Sequence, residues 1–264
     1  MKHHLACLSV GCLFLFTVSV QAATNSQQHN KQARLLPEFI AHYAITKYDI
    51  KLAEAIYRLR YTANGYRISQ QTRLYGIAAL FRNDTVDASS LVDKHNGRLW
   101  LKTFTYRQTG REKNRNEDIR LNHTNNRTTI TGISRSKPVN IHTQGPVWDI
   151  LSFQIPLMIQ ARETINQYPY MAVINGELDK YTFNLRNKKQ YYFAGKSWQL
   201  LEMVRSNKNK TRVLHVWLAP ALHNLPVIVE NYRDGKLNSR MQLESVQFDN
   251  QPVINAKTDD DSDE

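Results

Sequence analysis

Apolar side chains recur at every second position along most of residues 37–249, which is the pattern of strands with one buried face. In the stretch 53–61, for example, apolar residues alternate with Glu54, Arg58 and Arg60. From Arg98 to Arg107 the same spacing predicts that the aromatic side chains at 100, 104 and 106 share one face. We predict strands over residues 38–48, 53–61, 66–75, 98–107, 117–122, 127–134, 180–186, 190–194, 198–205, 211–218, 226–233 and 239–248.

Glycine-containing dipeptides mark the turns between these strands. Asn64-Gly65 is predicted to supply the pair of left-handed residues that a tight hairpin needs. Asn175-Gly176, Ala194-Gly195 and Asp234-Gly235 predict three further turns.

Residues 146–162 break the alternation, because their apolar residues are spaced as on one face of a helix. Pro146 suits a first helical turn, whereas Pro156 predicts a kink or a split. A sheet of about ten strands usually curls, and a curled sheet can close over one helix. The predicted fold is mainly β: a single domain over 37–249, in which a curved antiparallel sheet or half-open barrel wraps around a kinked helix.

The first residues have the features of a secretory signal peptide. A basic start precedes an apolar run, and Val20-Gln21-Ala22 predicts a cut after Ala22. The alternative, a lipid anchor on Cys12, fits less well because the strongest apolar segment follows that cysteine. We therefore expect a signal peptide over 1–22, a disordered linker over 23–36 and a disordered acidic tail over 250–264. The predicted location is the periplasm, with an association with the outer membrane left open.

The net charge of +12 understates how basic the body of the chain is, because five acidic residues lie in the tail. A basic surface can simply keep a protein soluble, or it can attract an anionic envelope component. Export argues against nucleic acid as the partner, and no apolar run of the mature chain reaches spanning length. The candidate basic surface lies in two predicted loops and comprises Arg107, Arg111, Lys113, Arg115, Lys208 and Lys210.

Motifs for common chemistries are missing from the sequence. Both cysteines, Cys7 and Cys12, lie in the predicted signal peptide, which excludes thiol nucleophiles and thiolate metal sites from the mature chain.

Asp84, Asp87 and Asp93 lie close together in sequence, but they lack the glycine and the terminal glutamate of a calcium loop, so we interpret them as turn and cap residues. We predict no metal, no cofactor and no assigned catalytic residue. Asp149 and Ser152 are polar residues within an apolar segment. Asp149 is interpreted either as a structural cap or ion-pair partner, or as a general acid or base.

The order of several segments resembles the bacterial family catalogued as domain of unknown function 3108. These segments are Phe39-Ile40-Ala41-His42-Tyr43, Thr72-Arg73-Leu74-Tyr75-Gly76-Ile77, Asn96-Gly97-Arg98-Leu99, Phe104-Thr105-Tyr106-Arg107, Trp148-Asp149-Ile150-Leu151-Ser152, Val216-Trp217-Leu218-Ala219-Pro220 and Leu225-Pro226-Val227. The resemblance covers about 37–249 and departs near 49–52, where such proteins tend to carry glycines. It implies an exported envelope protein, distantly similar to the half-open barrels of lipoprotein carriers, and it carries over no catalytic residue.

The leading hypothesis is a non-catalytic binder of an apolar or amphipathic envelope ligand, such as a lipid or a lipidated peptide. Two alternatives remain: a scaffolding partner in envelope assembly, and an enzyme acting on envelope glycans or lipids through Asp149. The candidate ligand-binding residues, which could equally be core, are Tyr57, Trp100, Phe104, Tyr106, Trp148, Asp149, Phe183 and Trp217.

Overall fold

Long strands make up most of the chain in this computed structural model, which describes residues 35–76, 78–79, 84–110, 115–206 and 211–255. Residues 78–79 are helical, and the other helices in this part of the chain are α1 (Gln154–Gln160) and a 3-10 helix (Pro220–Leu222). The strands are β1 (Phe39–Lys47), β2 (Ile50–Thr62), β3 (Gly65–Leu74), β4 (Thr85–His95), β5 (Arg98–Thr109), β6 (Arg115–Thr124), β7 (Arg127–Ser134), β8 (Lys137–Gln144), β9 (Val147–Trp148), β10 (Gln167–Ile174), β11 (Glu177–Phe193), β12 (Lys196–Ser206), β13 (Arg212–Ala219), β14 (Leu225–Arg233), β15 (Lys236–Phe248) and β16 (Gln251–Asn255). The predicted mainly-β class is confirmed.

The strands form one sheet in the order β8-β7-β6-β5-β4-β3-β2-β1-β15-β14-β13-β12-β11-β10-β9, with β16 beside β15. If this sheet were flat, β8 and β9 would be about 70 Å apart, because neighbouring strands are spaced by about 4.8 Å. Only Gly145 and Pro146 separate these two strands in the sequence. The sheet must therefore curve until its two ends approach each other. No ladder joins β8 to β9 in the described sheet, so the predicted half-open barrel is confirmed.

Residues 147–161 fill the interior of this curved sheet, and we call this segment the plug. It comprises β9, a turn at 149–153 and α1, and β9 packs against β5. Its apolar side chains are buried and belong to the same hydrophobic cluster as the inward-facing residues of the strands. They are Val147, Trp148, Leu151, Phe153, Ile155, Leu157, Met158 and Ala161.

The helix is shorter than the sequence pattern predicts. Helical structure covers Gln154–Gln160 instead of 146–162, because Val147 and Trp148 pair with β10 as a short parallel strand. Pro156 is the third residue of α1, within the first turn, where a backbone N–H has no intrahelical acceptor. The proline therefore lies near the start of α1, and the predicted interruption falls before the helix, in the turn at 149–153.

Five of the described strands were not predicted: β4, β8 and β10, together with β9 in the predicted helix and β16 in the predicted tail. Asp84, Asp87 and Asp93 suggested turns and caps, yet Asp87 and Asp93 lie within β4. There they face Arg73 at 2.8 Å and Lys102 at 3.0 Å in cross-strand ion pairs. A further difference is that 180–186 and 190–194, predicted as two strands, belong to the single long strand β11.

The hairpin between β2 and β3 differs from its prediction in the reason for its glycine. Thr62 pairs with Gly65, so the two loop residues are Ala63 and Asn64, and neither Asn64 nor Gly65 has a positive φ. A Cβ on Gly65 would lie 2.1 Å from the carbonyl oxygen of Val92. Glycine is required there because β4 approaches closely. The glycine turns at 175–176, 194–195 and 234–235 are confirmed, with positive φ at both residues.

The folded part extends beyond both predicted boundaries. Leu36, placed in the predicted linker, is 3% exposed, and its N–H lies 3.3 Å from the hydroxyl of Tyr66. Residues 251–255, placed in the predicted tail, form β16 beside β15. The predicted signal peptide and the rest of the linker and of the tail lie outside the described residues, as do Arg111, Lys113, Lys208 and Lys210.

Candidate functional site

Most of the predicted ligand-binding residues share the interior of the curved sheet. Phe104 and Phe183 are 1% and 0% exposed, and the Phe183 ring stacks on Phe153 of the plug at a centroid distance of 5.3 Å. Tyr57 and Tyr106 are also buried. Burial and the neighbouring Tyr106 raise the pKa of Tyr57. Together with Trp148 of the plug, these side chains form one continuous apolar core.

Trp100 does not share a face with Phe104 and Tyr106, contrary to the sequence prediction. Val92 pairs with Leu101 and Leu91 with Thr103, so Lys102 is an extra, bulged residue that reverses the alternation of β5. Leu101 therefore faces the core and Trp100 faces away, where its ring packs 4.7 Å from that of His123.

Trp217 lies in a different part of the sheet from the other candidates. It is on β13, it is 7% exposed, and the ammonium of Lys189 lies 3.9 Å from its ring centroid. Trp217 is therefore buried in the hydrophobic core, and its ring is covered on one side by the Lys189 ammonium.

Asp149 is the centre of a buried hydrogen-bond cluster at the start of the plug. Its Oδ1 accepts from the hydroxyl of Ser90 at 3.0 Å and from the N–H groups of Leu151 at 2.7 Å and Ser152 at 3.0 Å. Its Oδ2 accepts from the hydroxyl of Ser152 at 2.7 Å, and that hydroxyl also accepts from the N–H of Asp149. Asp149, Ser90 and Ser152 are all 0% exposed. Asp149 thus fixes the turn at 149–153 and ties it to β4.

Burial raises the pKa of Asp149 above its usual 3.8, although the hydrogen bonds from Ser152, Leu151 and Ser90 oppose the rise. When a carboxyl group has a higher pKa in the folded state than in the unfolded state, its protonated form stabilises the fold. This stabilisation is complete at a pH below the unfolded-state pKa and is lost as the pH rises through the folded-state pKa. Asp149→Asn removes this titration and keeps the three bonds accepted by Oδ1. We expect wild type to lose stability relative to Asp149→Asn as the pH rises above 3.8.

Urea unfolding of both proteins across a pH series measures that difference, whose slope reaches at most about 1.4 kcal/mol per pH unit. Asp87→Asn, at an exposed ion pair with Arg73, is the matched control. A difference that instead favours wild type more strongly as the pH rises would show that the folded state holds the carboxylate in its charged form.

Asn224 anchors the other end of the plug, and sequence reasoning missed it. Its Nδ2 donates to the carbonyl oxygens of Met158 at 2.8 Å and Ala161 at 3.2 Å, which satisfies acceptors at the end of α1. Asn224 has a φ of 56°, a left-handed conformation that asparagine tolerates better than most residues. In the sequence it has only the appearance of a turn residue.

The two ends of the curved sheet contact each other through side chains, and no backbone ladder joins them among the described strands. We call this contact between β6–β8 and β10–β12 the seam. Arg135 donates to Oδ1 of Asn175 at 2.8 Å. A Cβ on Gly176 would lie 2.9 Å from Cβ of Ser134 and 3.0 Å from Cγ2 of Val139. The β10–β11 turn is therefore seated directly on the β7–β8 hairpin.

Two arginines stack on tyrosines along the seam. The guanidinium of Arg115 lies 4.5 Å from the ring centroid of Tyr106, and that of Arg205 lies 3.4 Å from the ring centroid of Tyr181. Burial raises the pKa of Tyr181, and the positive charges of Arg205 and Arg115 oppose the rise. Each stack joins neighbouring strands at one end of the sheet, β5 with β6 and β11 with β12. The effect of the Arg115 charge on the pKa of Tyr181 is what links β6 to β11.

The predicted basic surface is largely neutralised where the structure describes it. Arg107 donates to both carboxylate oxygens of Asp118 at 2.7 Å, and Arg115 lies 2.5 Å from Oε1 of Glu117. Both arginines lie in strands, whereas the prediction placed them in a loop. Glu117 is 1% exposed, and its Oε2 has no hydrogen-bond partner among the described residues.

Metal-binding geometry is not found within the described ranges, where no group of three or more His, Cys, Asp or Glu side chains could hold an ion. In the same part of the chain, no helix has the length and apolar character needed to cross a membrane.

The family model described as "Protein of unknown function (DUF3108)" matches residues 39–242, most of the chain. The chain belongs to the DUF3108 family. This confirms the resemblance inferred from the sequence segments. The family description names no activity, so any role of this DUF3108 protein has to be argued from its own geometry.

A solved structure similar to this DUF3108 protein is a beta-barrel-like protein of the domain of unknown function DUF1849 from Brucella abortus. The two chains are 13% identical, with a TM-score of 0.54 over 81% of this chain and 98% of that chain. At this identity the similarity shows a shared fold alone. No curated protein matches the chain.

Proposed function

We propose that this DUF3108 protein is an exported, non-catalytic binding protein that holds an apolar or amphipathic envelope molecule, such as an acyl chain, inside its curved sheet. The observation that carries the proposal is the construction of the interior: an apolar core is occupied by the plug, inside a sheet whose ends contact each other through side chains. Opening this seam would break no backbone ladder between the strands that the structure describes. An acyl chain could then replace the apolar side chains of the plug.

The two polar anchors of the plug support an exchange of this kind. Asp149 holds one end and Asn224 the other, while the residues between them make mainly apolar contacts. Apolar contacts are non-directional and can be remade with a ligand. The burial of Asp149, with partners on both carboxylate oxygens, favours a structural role over general acid or base catalysis.

A disulfide across the seam tests the proposal. Ser134→Cys with Gly176→Cys would place two sulfurs across a gap where the Cβ atoms are 2.9 Å apart, and a shift of about 1 Å would give the usual Cβ separation of about 3.8 Å. Because Gly176 has a positive φ, thermal unfolding of the reduced variant against wild type checks that the turn accepts the cysteine. Because the only natural cysteines are Cys7 and Cys12, in the predicted signal peptide, no other thiol of the mature chain would compete. We expect the oxidised protein to bind a dansyl-labelled fatty acid at least about tenfold more weakly than the reduced protein.

The matched control is Thr85→Cys with Thr109→Cys, an exposed pair directly opposite each other on β4 and β5 and away from the seam. Its oxidation should leave binding unchanged. Fluorescence titration with and without dithiothreitol measures both proteins. Equal binding by the oxidised and reduced seam variants, or no saturable binding by the reduced protein, would contradict the proposal.

Export is part of the proposal and has a separate test. The basic start, the apolar run and the small residues before Ala22 support it. Mass spectrometry of the protein recovered from a periplasmic extract should give a chain that begins at Ala23. A full-length chain confined to the cytoplasm would rule export out.

A further inference from the structure

A polar cleft opens where β5 and β6 separate, on a part of the protein that the proposed function does not use. The two strands are paired only from Thr103 and Arg120 to Gln108 and Arg115. Beyond that pairing, 98–102 and 121–124 diverge and enclose a cleft of about 670 Å³, a volume typical of ligand sites. Among the residues that line the cleft are Arg98, Trp100, Lys102, Asn122, His123 and Asn126.

His123 holds the cleft open. One ring nitrogen, Nε2, lies 2.6 Å from the carbonyl oxygen of Leu101, so the imidazole takes the place of a ladder partner for β5. The other, Nδ1, lies 2.9 Å from Oγ1 of Thr128, a side chain that is 1% exposed. The imidazole is therefore fixed from two strands, and the neighbouring Trp100 ring packs against it at 4.7 Å.

Trp100 gives the cleft an aromatic surface. The bulge at Lys102 turns this indole away from the core, and the side chain remains half-buried among polar residues. An aromatic ring held in this way can stack on the C–H face of a pyranose ring. A sugar is the ligand class that combines such a face with hydroxyl groups around its edge.

The rim of the cleft carries donors and acceptors that the described residues leave unused. Arg98, Asn122 and Asn126 have no side-chain hydrogen bond or ion pair to any described residue. Asparagine amides both donate and accept, which matches sugar hydroxyls. Lys102 is paired with Asp93 at 3.0 Å, so the charge of Arg98 is left for an anionic group such as a phosphate or carboxylate.

We propose that this cleft binds an anionic saccharide. A pyranose ring stacks on Trp100, the amides of Asn122 and Asn126 bind its hydroxyl groups, and the guanidinium of Arg98 binds its phosphate or carboxylate. This site is independent of the interior of the sheet. An interior that binds no acyl chain would leave the proposal for the cleft intact.

Isothermal titration calorimetry of the purified protein tests the cleft with glucose 6-phosphate, oligogalacturonate, glucose and inorganic phosphate as separate probes. We expect saturable binding of a charged sugar. Comparing glucose 6-phosphate with oligogalacturonate shows whether the site prefers a phosphate or a carboxylate. Trp100→Ala should weaken that binding about tenfold, and Trp100→Phe should weaken it less. Arg98→Gln should reduce the affinity for the charged sugar to that for glucose.

The matched control is Tyr192→Ala, which removes an aromatic residue that is 73% exposed on β11 and should change nothing. Thermal unfolding of each variant separates a lost contact from a lost fold, and Arg98→Gln, at an exposed position, keeps the test valid if Trp100→Ala is unstable. Three results would overturn the proposal: inorganic phosphate binding as tightly as the charged sugars, binding unchanged in both Trp100→Ala and Arg98→Gln, or Trp100-dependent binding of a single-stranded oligonucleotide without binding of the sugars.

Discussion

Replacing Asp149 with alanine is expected to lower the free energy of unfolding by about 4 kcal/mol, a value reached only when a buried polar cluster is broken. The variant leaves the hydroxyl of Ser90 and the N–H groups of Leu151 and Ser152 without their acceptor, in a place where Asp149 is 0% exposed. Each buried donor without a partner costs about 1–3 kcal/mol. Urea unfolding at neutral pH measures the change.

Two variants set the scale for this loss. Asp87→Ala removes an exposed carboxylate paired with Arg73 and should cost less than about 1 kcal/mol. Ser90→Ala removes only one of the bonds to Asp149 and should fall between the two. If Asp149→Ala costs no more than Asp87→Ala, the cluster is not what holds the plug to β4.

The overall architecture could be predicted from the sequence because its determinants are local. Alternating burial marks individual strands, and glycine pairs such as Asn175-Gly176 mark hairpin turns with positive φ. The curvature of the sheet could be predicted from the number of strands and from residues 146–162, the apolar segment with helical spacing. Strands were missed where those local signals are weak. β8 follows the turn Arg135–Ser136, which has positive φ without glycine, and it contains Pro138, which is tolerated in the end strand of a sheet.

The faces of the side chains were harder to predict than the strands. A single bulged residue, Lys102, moves Trp100 from the predicted interior face to the polar cleft. A bulge is set by the pairing of two strands, so the alternation within one strand cannot reveal it. For the same reason the aspartates of β4 suggested turns, although cross-strand arginine and lysine partners hold them within a strand.

The candidate site depends on contacts between distant parts of the chain. Asp149 was identified as a polar residue in an apolar segment, but its partner Ser90 is 59 residues away in sequence. Asn224 binds the carbonyl oxygen of Met158 across 66 residues and has no signal beyond that of a turn residue. Such partners are determined by the closure of the sheet, and the sequence alone places neither of them.

Replacing Arg115 with methionine is expected to cost about 3–5 kcal/mol, because it leaves the carboxylate of Glu117 buried without its ion-pair partner. Glu117 is 1% exposed, and Arg115 lies 2.5 Å from its Oε1. Methionine keeps much of the apolar contact that the arginine side chain makes with Tyr106, so the loss reports mainly the charge. Chemical unfolding at neutral pH measures it.

The double variant Arg115→Met with Glu117→Gln separates a buried ion pair from ordinary packing. Removing both charges together should recover most of the lost stability, since no uncompensated charge then remains in the interior. The matched control is Arg107→Met, whose pair with Asp118 is 43% and 55% exposed and should contribute less than about 1 kcal/mol. Equal losses for Arg115→Met and Arg107→Met would mean that Arg115 belongs to a solvated basic surface, as the sequence suggested. A large loss recovered in the double variant would instead make Arg115 a structural residue of β6, whose charge balances the buried Glu117.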